Sequence, residues 1–366
     1  MPPGSSQRGG EDPGIGFAAP LPEATVSDVG LEEKVAFLRR PESYPHRPDA
    51  VEAVETHMAW VFLAGSEAYK LKKPVRYDFL DFATLEARRR HCEEEVRLNR
   101  RLAPDVYRGV VAMRRTLDGS LTLDGAGRVV EWLVHMRRLP RDRMLDALIR
   151  SGGVTEAQVE KVVLRLVRFF ERAPHVELSA DEYRARFRRD IHASRRELET
   201  LSFEEPGGIE TPVPDAGAIA GRLLDFLSGQ AALLDARVTA GRIVEGHGDL
   251  RAEHICLEEE PVIIDCLEFN PDFRIIDPAD EISFLAVECS RLGARWLGED
   301  FLERYRRRSG DRPPAELVAF YESFRAFLRA RIAIWHVRDD AIRDHGKWVR
   351  RSRAYLDLAA AFLPVA

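Results

Sequence analysis

From residue 29 onward the apolar positions of the chain follow two different periods, and the change between them divides it. The run "LEEKVAFLRR" has the spacing of a short helix, and a Pro-rich connection follows. Next, "THMAWVFLAGSEAYKLKKPV" sets two strand-like runs around the turn "AGSE", which predicts a hairpin. "LEARRRHCEEEVRLNRRLAPD" is rich in helix formers, carries Leu98 and Leu102 four residues apart and stops before Pro104, so it predicts one helix. Strand-like segments return at "VYRGVVAMRR", "SLTLDG" and "RVVEWLVHMRRLP", the last two linked at Asp124-Gly125 by a turn of the hairpin type. Residues 29–138 are thus expected to form a small sheet with an interposed helix.

Beyond residue 141 the period becomes helical through "DRMLDALIRSG", "TEAQVEKVVLRLVRFFERA" and "DEYRARFRRDIHASRRELETL", interrupted by a surface loop at "SFEEPGGIETPVPDAG". A short hairpin around "ICL" and "VIID", a helix after "DPADE" and two or three further helices complete residues 139–366. Residues 1–28 are dense in Pro and Gly and have neither the basic start nor the apolar run of a signal peptide, so a loose tail is expected there.

Composition narrows the class. A chain of 366 residues is long enough for two lobes, and 45% hydrophobic with 32% charged residues suits a globular protein. No apolar run approaches the roughly 20 residues that span a bilayer, so no membrane association is expected. A net charge of -6 gives no reason to expect a nucleic-acid partner, and nothing in the chain specifies a protein partner. Cys92, Cys256, Cys266 and Cys289 lack metal-ligand spacing and fit reduced thiols in a cytoplasmic protein.

The chemistry concentrates in "HGDLRAEHICL" and the "IIDCLEFN" that follows it. With "EEEP" as a four-residue loop and Leu257 facing Val262, antiparallel pairing sets His254 opposite Asp265, while Ile255 and Ile264 point to a core. Asp249 lies just upstream of the first strand. Two carboxylates and an imidazole would then converge at one end of a ribbon, a donor set for a metal ion beside an acid or base group.

This arrangement resembles a kinase catalytic centre, whose signature is HRDLxxxxN followed by a metal-binding Asp. With Gly in place of Arg, "HGDL" looks like the form found in aminoglycoside phosphotransferases and related small-molecule kinases. The resemblance implies an α+β, protein-kinase-like fold of two lobes: a small antiparallel sheet with a helix, and a mainly helical lobe carrying the catalytic hairpin. It implies transfer of the γ-phosphate of ATP, or of GTP, to a hydroxyl of a small molecule, with magnesium or manganese. Asp249 matches the Asp that orients the acceptor hydroxyl, and Asp265 the Asp that holds the metal. The family's usual Asn is His254 here, either a nitrogen ligand that favours manganese or a hydrogen-bond partner of Asp265. Lys70 in "AYK", with Lys72 as the alternative, matches the lysine on the nucleotide phosphates. Glu95, with Glu94 as the alternative, matches its helix partner. The hinge beside adenine falls near His135 and Met136. His247, Asp277 and Asp280 are implied supports of the catalytic loop, although Asp277 followed by Pro278 also has the pattern of a plain helix start.

A Gly-rich phosphate loop is missing, since "LAGSEAYK" has one glycine, and no GxxxxGK(S/T) motif of the P-loop domain that bacterial relatives often carry after this one occurs in these residues. Only twelve steps separate Asp265 from Asp277, too few for a long activation segment, which favours a small-molecule acceptor. Residues 325–353 carry nine Lys or Arg against three Asp. Arg325, Arg329 and Arg331 are therefore candidates for an anionic acceptor, and a polycationic aminoglycoside is not expected there. The competing expectation is a nucleotide-binding or partner-docking module without turnover, suggested by His254 and the absent glycine loop.

Overall fold

The structure is a computed structural model that describes residues 29–77, 79–199, 215–336 and 344–364. The expected tail at 1–28 and most of the surface loop at 202–217 lie outside the described residues. After helix α1 (Leu31–Leu38), strands β1 (Val51–Glu55), β2 (Ala59–Ala64) and β3 (Glu67–Lys72) form an antiparallel meander, followed by a small pair, β4 (Arg76–Tyr77) and β5 (Leu80–Asp81). The β2–β3 turn needs only two residues because Gly65 takes φ +61. Helix α2 (Leu85–Asn99) starts where the Thr84 side chain accepts from the Ala87 N–H. Strands β6 (Tyr107–Arg115), β7 (Leu121–Leu123) and β8 (Arg128–Arg137) complete a six-stranded sheet in the order β1-β2-β3-β8-β6-β7.

Two sequence expectations change here. "VEAVE", assigned to the Pro-rich connection, is the edge strand β1; its mostly exposed residues hide the period of a half-buried strand. The Asp124-Gly125 turn does not pair β7 with β8. Strand β7 folds back on β6, and β8 crosses to the other side of β6. Asp124, at φ +50, exchanges hydrogen bonds with Ala112 of β6, which fixes the turn at the end of the β6–β7 hairpin.

The remaining chain is helical: α3 (Leu145–Ser151), α4 (Glu156–Arg172), α5 (Ala180–Glu199), α6 (Ala216–Gly229) and α7 (Ala231–Thr239) come first. Strand β9 (Val244–Glu245), the hairpin β10 (Ile255–Cys256) with β11 (Val262–Ile263), and β12 (Ile275–Ile276) interrupt before α8 (Pro278–Arg291). Helices α9 (Arg295–Ser309), α10 (Ala315–Trp335) and α11 (His345–Ala361) follow. Every residue of α8 from Pro278 to Cys289 is buried, so this helix is the axis around which the others pack. One core joins α3, α4, α8 and α9 to the β10–β11 hairpin; a second joins α5, α6, α10 and α11. A third cluster, of Cys92, Val96, Tyr107, Val134, Cys256 and Val262, fastens the sheet and α2 to the same hairpin. The hairpin is thereby anchored from both sides, which is what a loop carrying chemistry requires. All four cysteines are free and buried, and no described helix is long and apolar enough to cross a membrane.

A buried charge cluster ties α7 to α8. Arg237 makes paired hydrogen bonds to Asp277 and to Asp311, and Tyr321 and Tyr305 donate to the same two carboxylates. Removing the cation would leave two buried carboxylates uncompensated. Arg237→Ala is expected to lower unfolding free energy by about 3–5 kcal/mol in a urea titration. Arg195→Ala, which removes one exposed helix pair with Glu199, should stay within about 0.5 kcal/mol.

Candidate functional site

Period-two alternation puts Lys70 and Lys72 on the same face of β3, toward α2, and both reach one carboxylate. Lys70 Nζ lies 2.9 Å from Glu95 Oε1, and Lys72 Nζ 2.5 Å from Glu95 Oε2. Glu95 is fully buried, as its place on the apolar stripe of α2 implies. The two lysines then diverge. Lys70 reaches Asp265 Oδ1 at 2.8 Å, whereas Lys72, itself buried, pairs with Glu268. Burial opposes the charge of both lysines, and the surrounding carboxylates more than reverse this, leaving each above the usual lysine range. Glu94 faces away from this network and pairs with Arg97 on its own helix.

Asp265 stands at φ +63, a left-handed conformation that Asp tolerates better than most residues. Tyr107 accepts from its N–H, and Asn99 of α2 accepts from the N–H of Cys266. These bonds hold the turn that aims the Asp265 carboxylate at the cleft. Burial would raise its pKa, but Lys70, then His254 and Arg251, hold it far below the usual carboxylate range. With 43% of its side chain exposed, Asp265 is the member of the network that solvent ions reach.

The loop before β10 is built on Glu281 of α8. Its two oxygens accept from the N–H groups of His247 (2.9 Å) and Gly248 (2.5 Å). Gly248 adopts φ +87, and a Cβ there would sit 2.7 Å from the Phe273 carbonyl, so the loop can turn at this position only on glycine. The buried His247 ring accepts from the Asp249 N–H through Nδ1 and donates from Nε2 to the Ile264 carbonyl, binding loop to hairpin. Asp249 is held on its exit side by Arg251, whose Nε is 3.0 Å from Oδ2. Burial alone would raise the Asp249 pKa; Arg251, then His254 and Arg329, bring it below the ordinary value.

His254 stands between the two aspartates. Nδ1 donates to the Asp249 carbonyl and lies 3.8 Å from Asp249 Oδ2, while Nε2 is 3.4 Å from Asp265 Oδ2. The expected convergence is therefore present, but the expected register is not. Cys256, not Leu257, pairs with Val262, so the hairpin is displaced by one residue and the loop is longer. Such a slip would reverse the faces of an extended ribbon. Here the pairing strands are two residues each, His254 belongs to a 3-10 turn and Asp265 is left-handed, so both leave the strand geometry before alternation applies. Ile255 is in the core as expected, joined by Ile263, and Ile264, partly buried, packs against the separate core cluster that contains Cys256 and Val262.

Support of the catalytic loop was expected from Asp277 or Asp280. Neither touches it: Asp277 caps α8 and binds Arg237, and Asp280 makes a paired salt bridge with Arg325. Glu281, one residue on, carries that role. Arg325 is consequently committed to Asp280, while Arg329 lies 3.9 Å from Asp249 and Arg331 lines a cavity that opens beside Asp249. Met136, paired with Ala68 and Tyr107, sits near the end of β8, where the chain passes between the lobes. Sequence reasoning missed Arg251, Glu268 and Glu281. An acidic residue three beyond Asp265 and an arginine two beyond Asp249 were visible, but their partners are distant in the chain.

Among the described residues no group of three or more His, Cys, Asp or Glu is arranged to hold a metal ion. The donors present fit magnesium carried with a nucleotide, which keeps most of its ligands as phosphate oxygens and water and takes one or two from protein. The Asp265 carboxylate, part exposed at the cleft, is a donor of the type such an ion takes from protein. His254 exposes the Nε2 lone pair, but the Arg251 guanidinium lies 2.9 Å from it.

No family model matches the chain. Uncharacterized proteins of Mycobacterium tuberculosis and Mycobacterium bovis, among them Rv2004c, are 36% identical over 286 residues, 77% of this chain and 54% of theirs. The chain thus spans about half the length of the curated relatives it matches. The crystal structure of a choline/ethanolamine kinase family protein from Mesorhizobium loti superposes with TM-score 0.51 at 14% identity, covering 89% of this chain and 94% of that one. A choline kinase from Cryptosporidium parvum has TM-score 0.48 at 10% identity (90% and 98% covered). An aminoglycoside phosphotransferase has TM-score 0.46 at 12% identity (84% and 94% covered). The chain has the two-lobed, protein-kinase-like fold of the Mesorhizobium loti protein.

Burial lowers the His247 pKa to about 4 from 6.5. The unfolded chain then takes up the proton first as pH falls, so this group's stabilising contribution is complete above about pH 6.5 and is lost toward pH 4. Gln at position 247 can make the same two hydrogen bonds without titrating. The stability difference between wild type and His247→Gln is expected to shift in the variant's favour between pH 6.5 and 4, as followed by thermal unfolding.

Proposed function

We propose that the protein is an ATP-dependent small-molecule kinase. The observation that carries the reading is one lysine, Lys70, joining the sheet, Glu95 of α2 and Asp265 of the hairpin within 2.9 Å, with Asp249 on the far side of the His254 ring from Asp265. Lys70 is the phosphate-binding lysine and Glu95 its anchor; Lys72, buried against Glu95 and Glu268, holds the lobes in register instead. The backbone leaving β8 after Met136 provides the adenine contacts. Magnesium bound with the nucleotide supplies charge neutralisation on the phosphate oxygens.

Asp249 orients the acceptor hydroxyl and takes its proton late, since its depressed pKa makes it a weak base that is always ionised at neutral pH. Arg251, between Asp249 and His254, places a fixed positive charge where the transferred phosphoryl group passes. His254, already engaged by Arg251, acts as a positioning residue between the two aspartates. ATP is the expected donor, with GTP the comparison.

A ligand that binds the folded state raises its melting temperature by mass action. ATP with magnesium is expected to raise it in wild type and in Asp249→Asn, and to lose most of this effect in Asp265→Asn. Once an acceptor is in hand, Asp249→Asn should lower kcat by about 100- to 10,000-fold at nearly unchanged KM for ATP. No shift with either nucleotide in folded protein would sink the kinase reading. A shift without turnover against any acceptor hydroxyl would favour a nucleotide-binding module.

A further inference from the structure

Beside Asp249 opens a cavity of about 440 Å³ between the catalytic loop and helices α5, α8, α10 and α11. Its charges can be matched one by one. Arg325 is closed on Asp280, Arg251 on Asp249 and Glu253, and Arg186 lies 3.3 Å from Asp272. Arg189 has Asp190 at 3.8 Å. Arg329 has Glu288 and Asp249 at 3.8 and 3.9 Å. Two arginines are left over. Arg331, only 3% exposed, has Nε and Nη1 unpartnered, and Arg351 has Nε and Nη2 unpartnered. Among the described residues no carboxylate forms a salt bridge with Arg331 or Arg351.

Both of these guanidinium groups lie on aromatic faces, Arg331 over Trp335 at 5.0 Å and Arg351 over Trp348 at 5.3 Å. Stacking fixes the plane of a guanidinium while leaving its N–H edge to bind something else. Buried guanidinium N–H groups without acceptors are costly, so an arrangement of this kind is expected to be completed by an anion. The rest of the wall is apolar, with Phe79, Phe269, Phe273 and Phe324 prominent.

We propose that the acceptor is an anionic alcohol with a flat apolar body: its hydroxyl at Asp249, its ring among the phenylalanines, and its carboxylate or phosphate on Arg331 and Arg351. The inference rests on the kinase reading for the reaction, but the binding it describes does not need turnover. In that reaction the acceptor O–H bond breaks and an O–P bond forms to the γ-phosphorus. The bond from that phosphorus to the β,γ-bridging oxygen breaks, ADP leaves with its electron pair, and the proton passes through Asp249 to water. Asp190 and Glu197 act on Arg331, and Glu253 on Arg351, only from beyond salt-bridge distance, so cationic alcohols would meet an excess of positive charge in this cavity.

The test uses three probes with one ring and one hydroxymethyl group: 4-(hydroxymethyl)benzoate, its neutral amide, and the cation 4-(aminomethyl)benzyl alcohol. Calorimetric titration of the full chain, with and without ATP and magnesium, is expected to give the benzoate an affinity at least tenfold above the other two. Arg331→Gln and Arg351→Gln should each weaken benzoate binding severalfold, and circular dichroism checks their folding. Equal affinity for the three probes in wild type, or tighter binding of the cation, would overturn the proposal without reference to any variant. Benzoate binding that both folded variants retain in full would also overturn it. Failure of the kinase reading has a different signature: the benzoate binds through Arg331 and Arg351, yet no ADP forms with any hydroxyl probe.

Discussion

Everything at the cleft depends on a buried exchange of charge between two lysines of one strand and carboxylates from two other elements. Lys70 and Lys72 share Glu95, and each also takes a carboxylate from the segment after the β10–β11 hairpin, Asp265 and Glu268 respectively. Buried ion pairs are a weak source of net stability, because desolvation cancels most of the attraction. Their value here is geometric. An unpaired ammonium or carboxylate at this depth would be expensive, so the sheet, α2 and the hairpin are held in the one relative placement that satisfies all of them. The asymmetry within the network matters as much: Lys72 is sealed, whereas Asp265 is open to solvent. One half of the network fixes the lobes, and the other half is the one that, in the proposed kinase, exchanges partners with an incoming nucleotide.

A second constraint acts from below. Glu281 on the buried helix α8 holds the N–H groups of His247 and Gly248, and burial pushes its carboxyl up to about 7 even though both donors favour the charged form. The catalytic loop is thereby tied to the most deeply packed element of the helical half. The cavity beside Asp249 is built on the opposite principle, with arginines that have N–H groups left without acceptors beside aromatic rings. Rigid satisfaction on one side of Asp249 and unsatisfied positive charge on the other make the loop a boundary between a finished scaffold and a place for a ligand.

Much of this was legible before any coordinates. The "HGDL" string, the following Asp and the lysine and glutamate of the sheet half converge as the resemblance implied, because each sits on an element whose period is clear. What failed did so for local reasons. The hairpin register slipped by one because strands of two residues carry too little alternation to fix it. The turn at Asp124 was assigned to the wrong hairpin because turn chemistry identifies a bend and not its partners. The match to the Ala-x-Lys pattern favours Lys70 over Lys72, and the sequence could not exclude Lys72 because the two share a face and a carboxylate. Glu281 was passed over for Asp277 and Asp280 since a run of acids at a helix start has an ordinary capping explanation, which holds for Asp277. Arg325 looked like a free cation because its partner Asp280 is 45 residues away.

In the proposed kinase, Lys70 gives up Asp265 when nucleotide arrives and keeps Glu95. The most direct measurement is a crystal structure with magnesium and the non-hydrolysable analogue in which nitrogen bridges the β- and γ-phosphorus atoms. The account predicts the metal on Asp265, Lys70 moved onto the phosphates with its bond to Glu95 intact, and adenine against the chain leaving β8. A nucleotide bound elsewhere, or a bound nucleotide with the Lys70–Asp265 pair unbroken and no metal between Asp265 and the phosphates, would contradict it.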